Sequence, residues 1–303
     1  SWTRSSEPRG IGTMQTFAYR RPATLAEAVA LLDAHGSDAR LLAGGTDLVI
    51  GLRSGSEKPT VVIDIKRIAD LSPGIREGAG RVTIGATTVM AEVAANSLVK
   101  RYFPALAEAA AVVGSVQIRN RATLAGNICN ASAAADTAPP LLVYGATVVA
   151  VGSAGTRRIP ITEFFVESGV TTLGRGELVI GIELPIPSHR TGAVHLRRTR
   201  RRGHDLASVT LCCSVDEGGV TRLAYGSVGP RPLLFVDETG TLADTGKPED
   251  ARHQILEGMF AGASPSKRSM RASPEYRLAM LRVLGWRALQ TAIDRLAEER
   301  TNG

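Results

Sequence analysis

Apolar positions along this chain switch between helical and strand periods, and the switches mark its elements. Leu25, Ala28, Val29, Leu31 and Leu32 follow helical spacing. Thr24 and Glu27 form a capping box ahead of them, Pro22 lies just upstream, and Gly36 can end the helix. Short apolar runs at 41–43, 61–65 and 81–85 predict strands, with a turn of helix at 68–71 between the last two. Helices are predicted over 88–95 and 104–113, the second with Pro104 at its start and Gly114 at its end. Residues 147–151 and 157–160 predict a hairpin across 152–155. The segment 185–189, with Pro185 and Pro187, breaks the pattern. Beyond it, strands at 206–216 and 220–228 form a hairpin around Gly218 and Gly219, followed by helices over 248–260 and 274–300.

These elements predict an α+β chain in two parts. The expected division is an N-terminal extension (1–13), a first domain (14–187, in two subdomains of about 14–65 and 66–187) and a C-terminal α+β domain (188–303). Composition agrees: 303 residues, 44% hydrophobic, exceed what a disordered chain carries and allow about two domains. Aromatic residues at 4% leave the core to Ala, Val, Leu and Ile, and argue against a base-stacking surface. Cys129 stands alone. Cys212 and Cys213 are neighbours that a strand would point to opposite faces, so neither a disulfide framework nor a zinc site is predicted. This cysteine usage suits a reducing cytoplasm, and no apolar run approaches the roughly 20 residues needed to cross a bilayer. Ser1 to Thr13 lack the apolar segment of a secretory signal.

A net charge of +7 points to an anionic partner of some kind. Much of the local density lies in Arg197, Arg198, Arg200, Arg201 and Arg202. That run reads as a solvated basic loop or as one facing a nucleotide or another subunit. No nucleic-acid-binding pattern accompanies it.

Two loops carry candidate chemistry. The first is Leu41, Leu42, Ala43, Gly44, Gly45, Thr46, Asp47 and Leu48, where a strand runs into a short helix. Successive backbone N–H groups in such a turn form an anion-binding nest, and the glycines let phosphate oxygens approach without a clashing Cβ. The second runs from Gln117 through Ile118, Arg119, Asn120, Thr123, Leu124, Ala125, Gly126 and Asn127 to Ser132 and Asp136. Its small and hydrogen-bonding residues suit close backbone approach to a ligand. Each loop alone also reads as an ordinary structural turn. Two phosphate-type loops in one domain fit a dinucleotide pyrophosphate held from two sides.

The ordered set of these motifs resembles the FAD-binding medium subunits of molybdenum hydroxylases, the family of carbon monoxide dehydrogenase and xanthine dehydrogenase. The carrying residues are Ala43 to Leu48, Ile63-Asp64-Ile65, Gln117 to Asn120, Thr123 to Asn127, Asn130 to Ser132, Ala135-Asp136, and Gly226 to Pro230. The resemblance covers nearly the whole chain. It implies a two-part FAD-binding domain of the vanillyl-alcohol-oxidase (PCMH) type, followed by a C-terminal antiparallel sheet with helices. By the same resemblance, Leu41 to Leu48 and Thr123 to Asn127 are the two pyrophosphate loops, and Asp136 lies beside the flavin's sugar-alcohol portion. Val113, Ile182 and Leu184 flank the adenine. The loop from Arg201 to Leu206 lies near the flavin ring. One departure stands out: Ala125 replaces a glycine usual in the family's second loop, which would be costly if that position required a positive φ.

The implied function is an electron relay. Substrate is oxidised at a molybdenum cofactor in a large subunit, two [2Fe–2S] clusters in a small subunit carry the electrons, and FAD passes them to a terminal acceptor. The expected assembly is a dimer of heterotrimers, without nucleic acid or a membrane span, in the cytoplasm. This chain is not expected to oxidise substrate alone. Its three cysteines are too few for one Cys-ligated [2Fe–2S] cluster, and no catalytic residue or metal ligand is identified in it. The alternatives are a stand-alone FAD-dependent oxidoreductase of the same fold, which would need its own acid or base, and a flavin-free binding module.

Overall fold

A computed structural model describes residues 15–301 except Arg202 and Met270. The expected N-terminal extension therefore lies outside the described residues, as does Arg202 of the arginine run.

The chain begins with β1 (Ala18–Arg20), α1 (Leu25–His35), β2 (Ala39–Leu42), α2 (Leu48–Ser54) and β3 (Val61–Asp64). The three strands form a parallel sheet in the order β1-β3-β2. Thr24 caps α1 by accepting from the Glu27 N–H at 3.2 Å, and Glu27 accepts in return from the Ala23 N–H at 2.7 Å. Gly36 closes the helix at φ +51°. β3 is buried along its length, as its continuous apolar run requires of a central strand.

A second sheet follows. Its strands are β4 (Ile75–Gly78), β5 (Arg81–Gly85), β6 (Thr147–Gly152), β7 (Gly155–Pro160) and, after the small pair β8 (Phe165–Glu167) and β9 (Val170–Thr171), β10 (Leu178–Pro185). The order is β4-β5-β10-β6-β7, antiparallel throughout. Between β5 and β6 runs a helical segment: α3 (Met90–Ala95), α4 (Ser97–Tyr102), α5 (Pro104–Val112), α6 (Val116–Arg119), α7 (Leu124–Cys129) and α8 (Ala138–Val143). The single turn α9 (Ile161–Phe164) follows β7. The helices and the sheet share one core in which Phe103, Leu106, Leu124, Ile128, Ile182 and Leu184 are fully buried.

The C-terminal part is a four-stranded meander, β11 (Thr191–Arg198), β12 (Val209–Asp216), β13 (Thr221–Gly226) and β14 (Leu233–Asp237), covered by α10 (Glu249–Met259) and α11 (Pro274–Thr301). No helix among the described residues is long and apolar enough to cross a membrane.

Several elements differ from the sequence expectation for physical reasons. The helix expected from residue 88 starts at Met90, because Thr88 and Val89 are bound to the second candidate loop: the Thr88 carbonyl accepts from the Leu124 N–H, and Val89 bridges Thr123. The strand expected to reach residue 228 ends at Gly226, because Ser227 turns left-handed at φ +68°. The C-terminal sheet has four strands where two were expected. β11 and β14 lie against prolines and basic loops that mask their alternation.

Candidate FAD site

The two candidate loops meet. The turn after β2 places Gly44 so that a Cβ there would lie 2.2 Å from the Arg121 carbonyl oxygen and 2.9 Å from the Ala122 Cα. Only glycine permits this approach. Gly45 follows at φ +74°, and a Cβ there would press on the Leu42 side chain at 2.8 Å. The backbone N–H groups of Gly44, Gly45 and Thr46 have no hydrogen-bond partner among the described residues. The turn therefore offers several unused donors beside the second loop, which is the chemistry a pyrophosphate needs.

The second loop is fixed from both ends. Thr123 caps α7 by accepting from the Gly126 N–H at 3.0 Å, and the Asn127 side chain accepts from the Thr137 hydroxyl at 2.6 Å. Ala125 is the second residue of α7, is buried, and does not adopt a positive φ. The glycine replaced there was not needed for backbone freedom, so the alanine carries no conformational cost. Gly126 is exposed at the loop's surface.

Upstream, Gly114 turns at φ +55° between α5 and α6, and the Arg119 guanidinium donates to the Val113 carbonyl at 3.1 Å. Ile118 packs under this turn, where a Cβ on Gly114 would meet it at 2.7 Å. Val113 is half-buried at the end of α5. Ile182 and Leu184 of β10 are fully buried in the core.

Asp136 lies where the second loop reaches the C-terminal sheet. One of its oxygens, Oδ2, accepts from Arg197 of β11 at 2.7 Å, and the same guanidinium donates to the Val112 carbonyl at 2.7 Å. The other, Oδ1, is buried without a hydrogen-bond partner among the described residues. Burial pushes the Asp136 carboxyl up to about 6, against the pull of Arg197 and a weaker one from Thr210. Burial, with Arg197 beside it, pushes the neighbouring His195 down to about 3. At neutral pH, Asp136 is thus ionised and paired with Arg197. His195 is neutral and shares a 2.9 Å hydrogen bond with Thr210, so its 3.7 Å approach to Asp136 is not an ion pair. Ser132 is half-buried, and its hydroxyl accepts from the Ala134 N–H at 3.2 Å.

The pattern of small and polar residues had singled out Asp136 but not its setting. Arg197 was visible only as one of a run, and His195 and Thr210 carried no signal because each sits in an apolar strand. Burial pushes the Cys129 thiol up to about 12, and the half-buried side chain packs against the core shared by the second sheet and its helices. His204 is exposed. No cluster of metal-ligating side chains occurs among the described residues.

The donors of the first turn, the glycine contact between the loops and the unpartnered Asp136 oxygen fit a large, phosphate-bearing, hydroxyl-rich ligand. Comparison with known proteins gives the same answer. Residues 15–187 match the FAD binding domain in molybdopterin dehydrogenase, and residues 195–292 match the CO dehydrogenase flavoprotein C-terminal domain. The chain is 31% identical to the xanthine dehydrogenase FAD-binding subunit of Escherichia coli O157:H7, over 91% of this chain and 96% of that one. It is 32% identical to the carbon monoxide dehydrogenase medium chain of Hydrogenophaga pseudoflava, over 93% and 98%. A solved structure of carbon monoxide dehydrogenase from that organism superposes with a TM-score of 0.85, covering 93% of this chain and 99% of that one at 32% identity. Quinoline 2-oxidoreductase from Pseudomonas putida 86 superposes at 0.83 with 27% identity, covering 93% and 98%. The chain belongs to the family of FAD-binding subunits of molybdopterin-dependent dehydrogenases.

Proposed function

We propose that this chain holds FAD between its two loops and serves as the electron-transfer subunit of a cytoplasmic molybdenum hydroxylase. On this reading a small subunit with [2Fe–2S] clusters delivers electrons to it, a large subunit carries the molybdenum cofactor and oxidises substrate, and the assembly is a dimer of heterotrimers. The domain division at 187/188, with a subdivision near 65/66, belongs to the same proposal. It is supported by the change from the second sheet to the meander after Pro185.

The observation that carries the reading is the contact of Gly44 with the Arg121 carbonyl, which places two glycine-bearing turns side by side. Bound FAD would supply the ability to take electrons singly and release them as a pair. The chain's own residues bind and orient. Gly44, Gly45 and Thr46 offer N–H donors to the pyrophosphate from one side, and Thr123 to Asn127 close the other. Asp136, held by Arg197, presents its free Oδ1 as an acceptor for a ligand hydroxyl. Val113 and the Ile182–Leu184 region flank the adenine end. The exposed remainder of the arginine loop, Arg200 and Arg201, faces the acceptor side.

The test is FAD content. The purified chain should release close to one equivalent of FAD on denaturation, identified by chromatography. Gly45→Val should lose it, because a branched residue at positive φ both strains the turn and fills the phosphate position. Full FAD retention in Gly45→Val would contradict the loop assignment. A stand-alone oxidoreductase would retain FAD and turn over substrate without partners, and a binding module would hold no flavin.

A further inference from the structure

Ser227 is a non-glycine residue in the left-handed region, at φ +68°, and is buried. Such strain persists only where the surroundings enforce it. Here they do so on every side. The Ser227 N–H donates to the Ala133 carbonyl at 2.6 Å, its hydroxyl donates to the Ala207 carbonyl at 2.9 Å, and its own carbonyl accepts from Arg277 of α11 at 2.6 Å. The preceding Gly226 lies so close that a Cβ would sit 2.7 Å from the same Ala133 oxygen.

Arg277 is itself unusual. It is only 6% exposed and forms no salt bridge among the described residues. Its guanidinium donates to the Ser227 carbonyl and to the Ser269 hydroxyl, and its Nε is buried without a partner among the described residues. A buried guanidinium without a counter-ion is costly, and replacing it by an apolar residue would ordinarily be tolerated or favourable. Among the described residues, the backbone group to which its guanidinium donates is the carbonyl of the strained residue.

Ala133 sits between Ser132 and Asp136, in a run that opens with another strained residue, Ala131 at φ +47°. Arg197 of β11 grips the far end of that run at Asp136. The C-terminal sheet therefore holds the segment at two points: the side chain of Asp136 and the backbone of Ala133.

We propose that Ser227 and Arg277 are positioning residues for FAD: through the Ala133 carbonyl they set where Ser132 and Asp136 present themselves to the cofactor. The inference rests on the FAD reading above. The two residues touch no cofactor. They transmit the position of α11 and the C-terminal sheet to the second loop.

The test uses the full chain and compares Ser227→Gly with Ser227→Ala. Both lose the hydroxyl, but only alanine opposes the left-handed turn. Arg277→Met and Arg277→Lys form a second pair, removing or keeping a donor for the Ser227 carbonyl. FAD affinity is measured by titration of the apoprotein, together with the visible absorption spectrum and midpoint potential of the bound flavin. Ser227→Ala and Arg277→Met should weaken FAD by about tenfold and shift the spectrum and potential. Ser227→Gly should stay close to the parent, and Arg277→Lys should recover part of the loss. Lower melting temperatures with unchanged affinity, spectrum and potential would reduce both residues to a structural role and overturn the proposal. If Arg277→Met does not fold, the serine pair decides alone. A parent chain that binds no FAD would overturn the reading beneath it, whereas variants matching a FAD-binding parent would overturn only this inference.

Discussion

Asp136 and His195 are buried side by side, yet burial moves their proton affinities in opposite directions, because it disfavours the charged form of each. The Asp136 carboxyl rises from 3.8 to about 6 on folding, so its contribution to stability is present below about pH 4 and is lost as pH climbs to 6. The His195 imidazole falls from 6.5 to about 3, so its contribution is present above 6.5 and is lost as pH falls toward 3. Between pH 4 and 6 the two slopes oppose one another. Asp136→Asn removes one of them. Its stability should therefore rise more steeply with pH across that window than the parent's, by on the order of 2 kcal/mol. Denaturant unfolding of the apoprotein at several pH values reads this directly, and parallel curves for the two proteins would contradict the raised proton affinity of Asp136.

At the scale of elements, the site depends on short helices that could not hold themselves. α7 has six residues, too few to be stable in isolation, and it stands because Thr123 caps it and its apolar face is buried. Thr123→Ala should cost about 1 kcal/mol of stability and weaken FAD binding at the same time, since the freed Gly126 N–H belongs to the second loop. Calorimetry of the apoprotein and FAD titration check the two effects, and an unaltered affinity would separate the cap from the site. α5 plays a comparable part between domains. Its Glu108 accepts from the His195 N–H at 2.9 Å and pairs with Arg295 of α11 at 2.7 Å. Glu108→Ala leaves a backbone N–H unpaired between the domains. It should lower unfolding stability by about 1–3 kcal/mol, read as a reduced denaturant midpoint, and an unchanged midpoint would show that solvent replaces the carboxylate.

How legible these elements were follows from what made them. α1 was plain because its cap, its apolar spacing and its terminal glycine all agree. β3 was plain because it is buried on both faces. The hairpin of β6 and β7 was announced by its glycines. β10 was missed although it is the central strand of the second sheet. Its partners among the described residues, β5 and β6, are distant in sequence, and no turn signal joins it to either. α4 was missed because its Asn96 cap follows directly on the end of α3. The two loops were legible through their glycines. The clasp on Asp136 was not, because Arg197 and Thr210 reach it from strands that read as ordinary sheet.

Taken whole, residues 15–187 match the FAD binding domain in molybdopterin dehydrogenase, and the C-terminal sheet packs against their helices α5 and α8. Arg197, Ser227 and Glu108 are the ties. The C-terminal sheet is thus part of the site's frame and not an appendage to it. The arginine run that ends β11 is partly neutralised within the chain: Arg197 pairs with Asp136 at 2.7 Å and Arg200 with Asp205 at 3.2 Å. Its charge therefore contributes less to the +7 surface than the run of arginines suggests. On the proposed reading, the oxidation of substrate falls to a partner and the transfer of electrons to this chain, whose residues 15–187 match the FAD binding domain in molybdopterin dehydrogenase.

That division of labour is tested most directly by isolating the tagged protein from its native host and assaying flavin, iron and molybdenum on what is recovered. Two further chains carrying iron and molybdenum, with FAD on this one, are the predicted result. A protein that emerges alone, yellow and metal-free, and oxidises a substrate without partners would contradict it.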